Sequence, residues 1–155
     1  MTACLTCELG ARRDAGDAPL WDAIVRTPSW DVVHGNETSL EGWLVLVLRR
    51  HVTALADLTD AEAAELGPMI QRTSAALGEV LGCPKTYVVQ FAEHPRHPHV
   101  HVHVIARPAD LPDEEQGPRV FAHLGVPEAE RVSEARMTEI AEAIRPHLSD
   151  LAVDG

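Results

Sequence analysis

The sequence predicts an α+β fold: an antiparallel sheet with a long helix between its strands and a further helix after them. Three observations carry this. Apolar and β-branched runs at Ser29–His34, Trp43–Leu48, Thr86–Phe91 and His99–Ile105 read as strands. A strongly patterned helix separates the second run from the third, and another helix follows the fourth. Only short connections join consecutive strands, which favours antiparallel pairing with helices packed on the sheet.

The elements follow in chain order. Residues 8–20 carry Gly10, Gly16 and Pro19 among mixed charges and read as a loop or weak helix. Ser29–His34 alternates weakly and ends in the turn signal Gly35-Asn36. Gly42 leads into Trp43–Leu48, a continuous apolar run whose length suits a buried strand, ending at Arg49-Arg50-His51. Thr59 and Glu62 form a capping box, each side chain satisfying a backbone N–H at the start of a helix. Leu66, Met69, Ile70, Thr73, Leu77, Val80 and Leu81 then recur at helical spacing. Pro68 is awkward inside that helix and is expected to kink its second turn; Gly82 and Pro84 stop it. Residues 108–132 hold four prolines and two glycines and are expected to be mostly loop. Ser133 caps a last helix with Met137, Ile140, Ala141 and Ile144 on one face, ended by Pro146. With no repeat or linker in view, residues 1–155 are expected to form one domain, with 108–155 a loop and helix extension.

Composition narrows the function. A formal net charge of -11 argues against extended nucleic-acid binding, which needs a basic face, but leaves room for a single nucleotide at a locally positive site. No apolar run approaches the roughly 20 residues of a membrane span. The N-terminus has no basic segment followed by an apolar one, so no signal peptide is expected and cytoplasmic residence is the default. Of three cysteines, Cys4 and Cys7 form a C-x-x-C pair, readable as a redox pair or as half of a metal site. A redox pair usually follows a strand; this one has none before it, which favours metal. Cys83 reads as an idle thiol, Trp21, Trp30 and Trp43 as core or interface residues, and Asp113-Glu114-Glu115 as a solvated loop. The glycines make no phosphate-cradling pattern.

The most informative stretch is His99-Val100-His101-Val102-His103-Val104-Ile105. In a strand, side chains alternate faces, so the three histidines share one face and the three valines can bury on the other. A neutral imidazole is a good nucleophile toward phosphorus, and neighbouring imidazoles can donate hydrogen bonds to phosphate oxygens and a leaving group. The same row could hold a metal ion, or be no more than a polar sheet face.

This stretch resembles the H-x-H-x-H-φ-φ motif of the histidine-triad (HIT) family, with Arg107 matching a further position and Ala106 standing where the family often has proline. Gly42 to His51 is similar to the family's G-H-x-L-V-x-P-K-x-H strand, with Trp43 in place of a histidine, Leu48 in place of the proline and Arg49 in place of the lysine. Many bacterial members also open with C-x-x-C. The resemblance implies that His101 is the nucleophile of a covalent nucleotidyl-histidine intermediate, its other ring nitrogen held by a backbone carbonyl. His103 would contact the phosphate or bridging oxygen. Cys4, Cys7, His51 and His99 would hold one structural zinc. The upstream frame His97, His99 and His101 also satisfies H-x-H-x-H but loses the Arg107 match, so the later frame is preferred. His94 or His97 remains an alternative to His99 at zinc, or a group facing the substrate phosphates. Asn36, Arg96, His97 and Arg107 are the candidate substrate-binding residues.

The function expected is a nucleotidyl hydrolase or transferase acting on dinucleoside polyphosphates or nucleoside phosphoramidates, in a homodimer. Two other readings stand beside it: a hydrolase using the histidine row as a catalytic metal site, and a non-catalytic nucleotide-binding module.

Overall fold

The capping box forms as the sequence predicts. In the computed structural model, which describes residues 3–152, Thr59 accepts from the backbone of Glu62 while the Glu62 carboxylate accepts from the backbone of Thr59. Helix α2 (Asp60–Leu81) starts there and ends at Gly82, whose φ of 65° is the left-handed conformation favoured by glycine. Pro68 does not break it. Proline leaves the carbonyl four residues earlier without its intrahelical donor, but Ala64, Gly67 and Pro68 all lie on the exposed side, where water can serve that carbonyl.

Around α2 the chain builds α1 (Leu5–Ala15), β1 (Val25–Arg26), β2 (Trp30–His34), β3 (Trp43–Leu48), β4 (Lys85–Val89), β5 (His101–Arg107) and α3 (Glu134–Ile144). Among the described residues the strands form one antiparallel sheet in the order β1-β2-β3-β5-β4. The fold is α+β, as expected. Period-two alternation then sorts the two central strands. Leu44, Leu46 and Leu48 with Val102, Val104 and Ala106 enter a core completed by Met69, Ala76 and Leu77 of α2 and Ile140, Ala141 and Ile144 of α3. Each fully buried leucine there contributes about 2 kcal/mol by removing apolar area from water. The odd-numbered residues Trp43, Val45, Val47, His101, His103 and Ile105 face the other way. At one end of that second face Trp43, Ile105, Leu40, Leu111 and Val120 make a smaller apolar cluster.

Some elements differ from the sequence expectations or extend them. Of the two readings of residues 8–20, the helix holds and the loop does not: most belong to α1, which Gly16 closes at φ 76°. Glu8 in its first turn and Arg12 and Arg13 in its last complement the helix dipole. Its weak apolar stripe leaves the sequence undecided between helix and loop, because polar tertiary contacts hold it down. β1 has two residues, too few to show a period. The strand begins at His101 and not His99; before it, Val100 is tied to Val52 and Leu48 by backbone hydrogen bonds. Residues 108–132 contain three 3-10 turns, at Asp113–Glu115, Gly117–His123 and Glu128–Glu130, and the middle one covers the smaller cluster with Val120 and Phe121. Pro146 ends the α-helical geometry of α3, but the chain goes on as a 3-10 turn at Arg145–Leu151.

Gly42 shows why β3 begins where it does. Its φ is +76°, and a Cβ there would lie 2.4 Å from Leu81 Cδ1 and 3.0 Å from the Ala106 side chain. Only glycine lets the hairpin pass this close under the end of α2. The same hairpin is clamped by His34, whose Nδ1–H donates to the Gly35 carbonyl (2.7 Å) while Nε2 accepts from the Gly42 N–H (3.0 Å).

Burial lowers the pKa of His34 from 6.5 to about 4. The unfolded chain therefore binds more protons between those values, and stability must fall as pH drops through that window. The expected loss from His34 is about 3 kcal/mol between pH 6.5 and 4, since each unit is worth about 1.4 kcal/mol. Urea midpoints at pH 7 and pH 4.5 check this against His34→Gln, which should lack that share of the pH dependence. A His34 ring titrating near 6.5 by NMR would contradict it. No helix among the described residues is long and apolar enough to cross a membrane.

Candidate active site and metal-holding cluster

The histidines of β5 are displayed by strand register. His101 pairs with Val47 and His103 with Val45 of β3, while His103 also faces Val89 of β4. The valines between them are locked in the core, so neither ring can turn over without slipping the whole strand. The two rings stand edge to face with centroids 5.0 Å apart.

His101 Nδ1–H donates to the His99 carbonyl at 2.7 Å. That bond fixes the tautomer and leaves a lone pair on Nε2. Burial lowers the pKa of His101, with the charge of His94 adding to the effect and the hydrogen bond to His99 opposing it. Burial first, then the neighbouring His101, lowers that of His103 to about 3, so this ring is uncharged at neutral pH. Trp43 Nε1–H donates to His103 Nδ1 at 3.0 Å, and the Phe121 ring stands edge-on to both at 5.3 and 5.4 Å.

His99 leaves the row. Its Nε2–H donates to the Leu48 carbonyl at 2.6 Å, which turns the Nδ1 lone pair toward Cys4, Cys7 and His51. One donor atom from each of these four residues lies within 4.8 Å of all the others. The separations are 3.7 Å (Cys4 Sγ to His99 Nδ1), 3.5 Å (Cys7 Sγ to His99 Nδ1), 3.2 Å (Cys7 Sγ to His51 Nδ1) and 3.3 Å (His51 Nδ1 to His99 Nδ1). A tetrahedral ion with ordinary metal–sulfur and metal–nitrogen bonds gives edges of roughly 3.3–3.8 Å. The donor set therefore fits such an ion in kind and in size. The carbonyl behind His99 is the outer partner that a ligating imidazole usually has. Without an ion, burial, then the adjacent Cys4, push the Cys7 thiol up to about 11, so a cation bound there would have to displace its proton.

Helix α1 delivers the two cysteines and is fastened at both ends. Near its start, the Leu5 N–H donates to the Arg96 carbonyl, and the Thr6 hydroxyl is hydrogen-bonded to His97 Nδ1 at 2.9 Å. Near its end, Arg13 donates to the carbonyl and the carboxylate of Asp22, both at 2.8 Å, with the Asp31 carboxylate 3.7 Å away.

A HIT domain family model matches residues 22–110, more than half of the chain, and spans β1 to β5 and both central histidines. The chain belongs to the HIT family. Solved structures agree with that membership. A histidine triad (HIT) protein from Sinorhizobium meliloti is 27% identical, with a TM-score of 0.66 over 81% of this chain and 88% of that one. A histidine triad protein from Marinobacter aquaeolei is 22% identical, with a TM-score of 0.68 over 91% and 96%. A Zn-bound histidine triad family protein from Mycobacterium smegmatis is 19% identical, with a TM-score of 0.64 over 96% and 94%. Among curated proteins, none matches the chain. HIT membership supports a nucleotide-binding hydrolase or transferase in general.

Within this HIT chain the structure brings most, but not all, of the predicted residues together. His101 and His103 sit together on the face opposite the core, and Cys4, Cys7, His51 and His99 form the cluster beside them. Arg96 and His97 lie on the segment leading into β5, where the His97 ring is 6.5 Å from that of His101. Asn36 is exposed in the β2–β3 turn, next to Glu37, whose charge reaches His97. Arg107 lies at the far end of β5 from His101: Ile105 intervenes, and strand rise separates the two by roughly 20 Å. Sequence reasoning missed Thr6, Arg13, Phe121 and the partnership of Trp43 with His103. Trp43 was visible as a departure from the family strand, but its partner lies 60 positions away.

Proposed function

We propose that this HIT protein is a nucleotidyl hydrolase or transferase that works through a covalent nucleotidyl-histidine intermediate on His101. The observation that supports this best is the bond from His101 Nδ1–H to the His99 carbonyl. It leaves the Nε2 lone pair as the nucleophile. Nε2 attacks the α-phosphorus, the N–P bond forms as the bond to the leaving group breaks, and the leaving group departs with that electron pair and takes up a proton. The phosphorylated ring is then cationic, and the carbonyl facing its Nδ1–H stabilises that charge as it develops. Water or another acceptor attacks phosphorus in turn, releasing the nucleotide and restoring the free imidazole.

His103 contacts the phosphate or bridging oxygen. Arg96 and His97 meet further phosphate oxygens, Arg96 offering a planar fork suited to them. Asn36 meets ribose or phosphate, while Arg107 belongs to the far end of the strand. One structural zinc held by Cys4, Cys7, His51 and His99 is part of the proposal, supported by the donor geometry and by the Zn-bound relative from M. smegmatis. Four protein donors leave no open position, so the ion would supply a cross-link between α1, the end of β3 and the start of the catalytic strand.

The substrates are dinucleoside polyphosphates or nucleoside phosphoramidates. Zinc-loaded protein is expected to release nucleoside monophosphate from at least one of them. Tight AMP or GMP binding with no turnover across the panel would contradict the enzyme reading and favour a binding module. A homodimer is proposed across the open edge of β4, where Val88 and nearby Phe91 are 44% and 58% exposed. Light scattering should give the mass of two chains, and Val88→Glu should reduce it to one; a monomeric parent would overturn this.

A further inference from the structure

We propose that Trp43 is a positioning residue that holds His103 in a single tautomer, with the proton on Nε2, so that His103 serves the reaction as a hydrogen-bond donor and not as a base. The role for His103 rests on the function proposed above; the tautomer does not.

An indole nitrogen carries one N–H, accepts nothing and does not titrate, whereas a neutral imidazole has one donor and one acceptor nitrogen. Trp43 Nε1 is 3.0 Å from His103 Nδ1, so that nitrogen must present its lone pair. The one proton of the neutral ring is then on Nε2. A proton on Nδ1, in the other tautomer or in the cation, would set two N–H groups head to head inside a buried contact. That contact cannot relax easily. Trp43 is fully buried, its carbonyl accepts from the Gly35 N–H, and Ile105 stands opposite it in the neighbouring strand. His103 is 7% exposed and packed edge-on by Phe121. Burial also keeps the ring uncharged, which agrees with the assignment.

The neighbouring histidine carries the opposite tautomer. His101 donates its Nδ1–H to a carbonyl and keeps a lone pair on Nε2, while His103 accepts a hydrogen bond at Nδ1 and keeps its N–H on Nε2. Two adjacent imidazoles on one face, with rings 5.0 Å apart, are thus sorted into a nucleophile and a donor by one hydrogen bond each. A merely structural bond between Trp43 and His103 would satisfy two buried polar atoms without any consequence for the donor.

The test is ¹⁵N NMR of histidine-labelled, zinc-loaded protein at pH 7, with kinetics on Trp43→Phe, which keeps an aromatic ring and removes the N–H. In the parent, His103 should show a protonated Nε2 and an unprotonated Nδ1. In Trp43→Phe, with the amide spectrum otherwise retained, the two tautomers should mix. The kcat should fall about 10- to 100-fold, with KM changing less than about threefold, because the lost interaction matters most in the transition state. A parent His103 protonated on Nδ1 overturns the proposal outright, and this needs neither substrate nor a folded variant. Unchanged kcat in Trp43→Phe, or a fall in kcat with the tautomer unmoved, also overturns it. Absence of turnover in the parent would count against the function proposed above and leave the tautomer assignment to stand or fall by the spectrum.

Discussion

His101→Ala is expected to lower turnover by at least about 10,000-fold, the scale on which covalent enzymes lose rate with their nucleophile. The variant should fold normally. His101 projects from the face opposite the core, and the adjacent Val100 and Val102, which hold the strand, are untouched. The carbonyl that loses its partner belongs to His99, just before the strand, where water can replace the imidazole. Zinc content should likewise be unchanged, because the ring of His101 is outside the four-residue cluster. Removing His103 instead should cost less, since the nucleophile would remain and only a phosphate contact would be lost. Equal activity in His101→Ala would remove the mechanism; loss of activity together with loss of zinc or fold would show a different role for the residue.

The second large effect concerns the cluster. Cys7→Ser is expected to abolish stoichiometric zinc binding and to lower the melting temperature by roughly 10 °C. Structural zinc sites supply several kcal/mol of folding free energy or more. For a chain of this size each kcal/mol moves the midpoint by about 2–4 °C. The loss should be felt mainly at α1, which contributes little apolar area and is held by the cysteines at one end and by Arg13 at the other. Calorimetry and metal analysis of the purified variant check both parts. The His99 ring, its Nε2–H still bonded to Leu48, would keep its orientation, so His101 should retain its carbonyl partner and a measurable share of its activity. Loss of activity on chelation with the melting temperature unmoved would contradict a structural role and favour catalytic metal chemistry.

The central strands were legible because their signals are local. Gly42, the apolar run after it and the valines between the histidines each state their face by period two, and the capping box at Thr59 and Glu62 states where α2 starts. The histidine motif was legible for the same reason: alternation put His101 and His103 on one face before any contact was known. Its upstream limit was legible only in part: the Arg107 match favours the frame from His99, but His94 and His97 stay open as alternatives until something selects among them. The structure selects by distant partners. The Leu48 carbonyl and the two cysteines take His99, and Thr6 takes His97. Helix α1 was only half legible, as one of two readings, since its restraints are ion pairs and cluster ligands and not an apolar stripe. The 3-10 cover over Trp43 and Ile105 escaped because its residues become meaningful only once β3 and β5 are side by side.

The most direct measurement is mass spectrometry of the zinc-loaded protein after rapid quench with a dinucleoside polyphosphate. A nucleotidyl adduct on His101 is expected, formed within the first turnover and absent from His101→Ala. An adduct on another residue, or turnover with no adduct at any quench time, would contradict it.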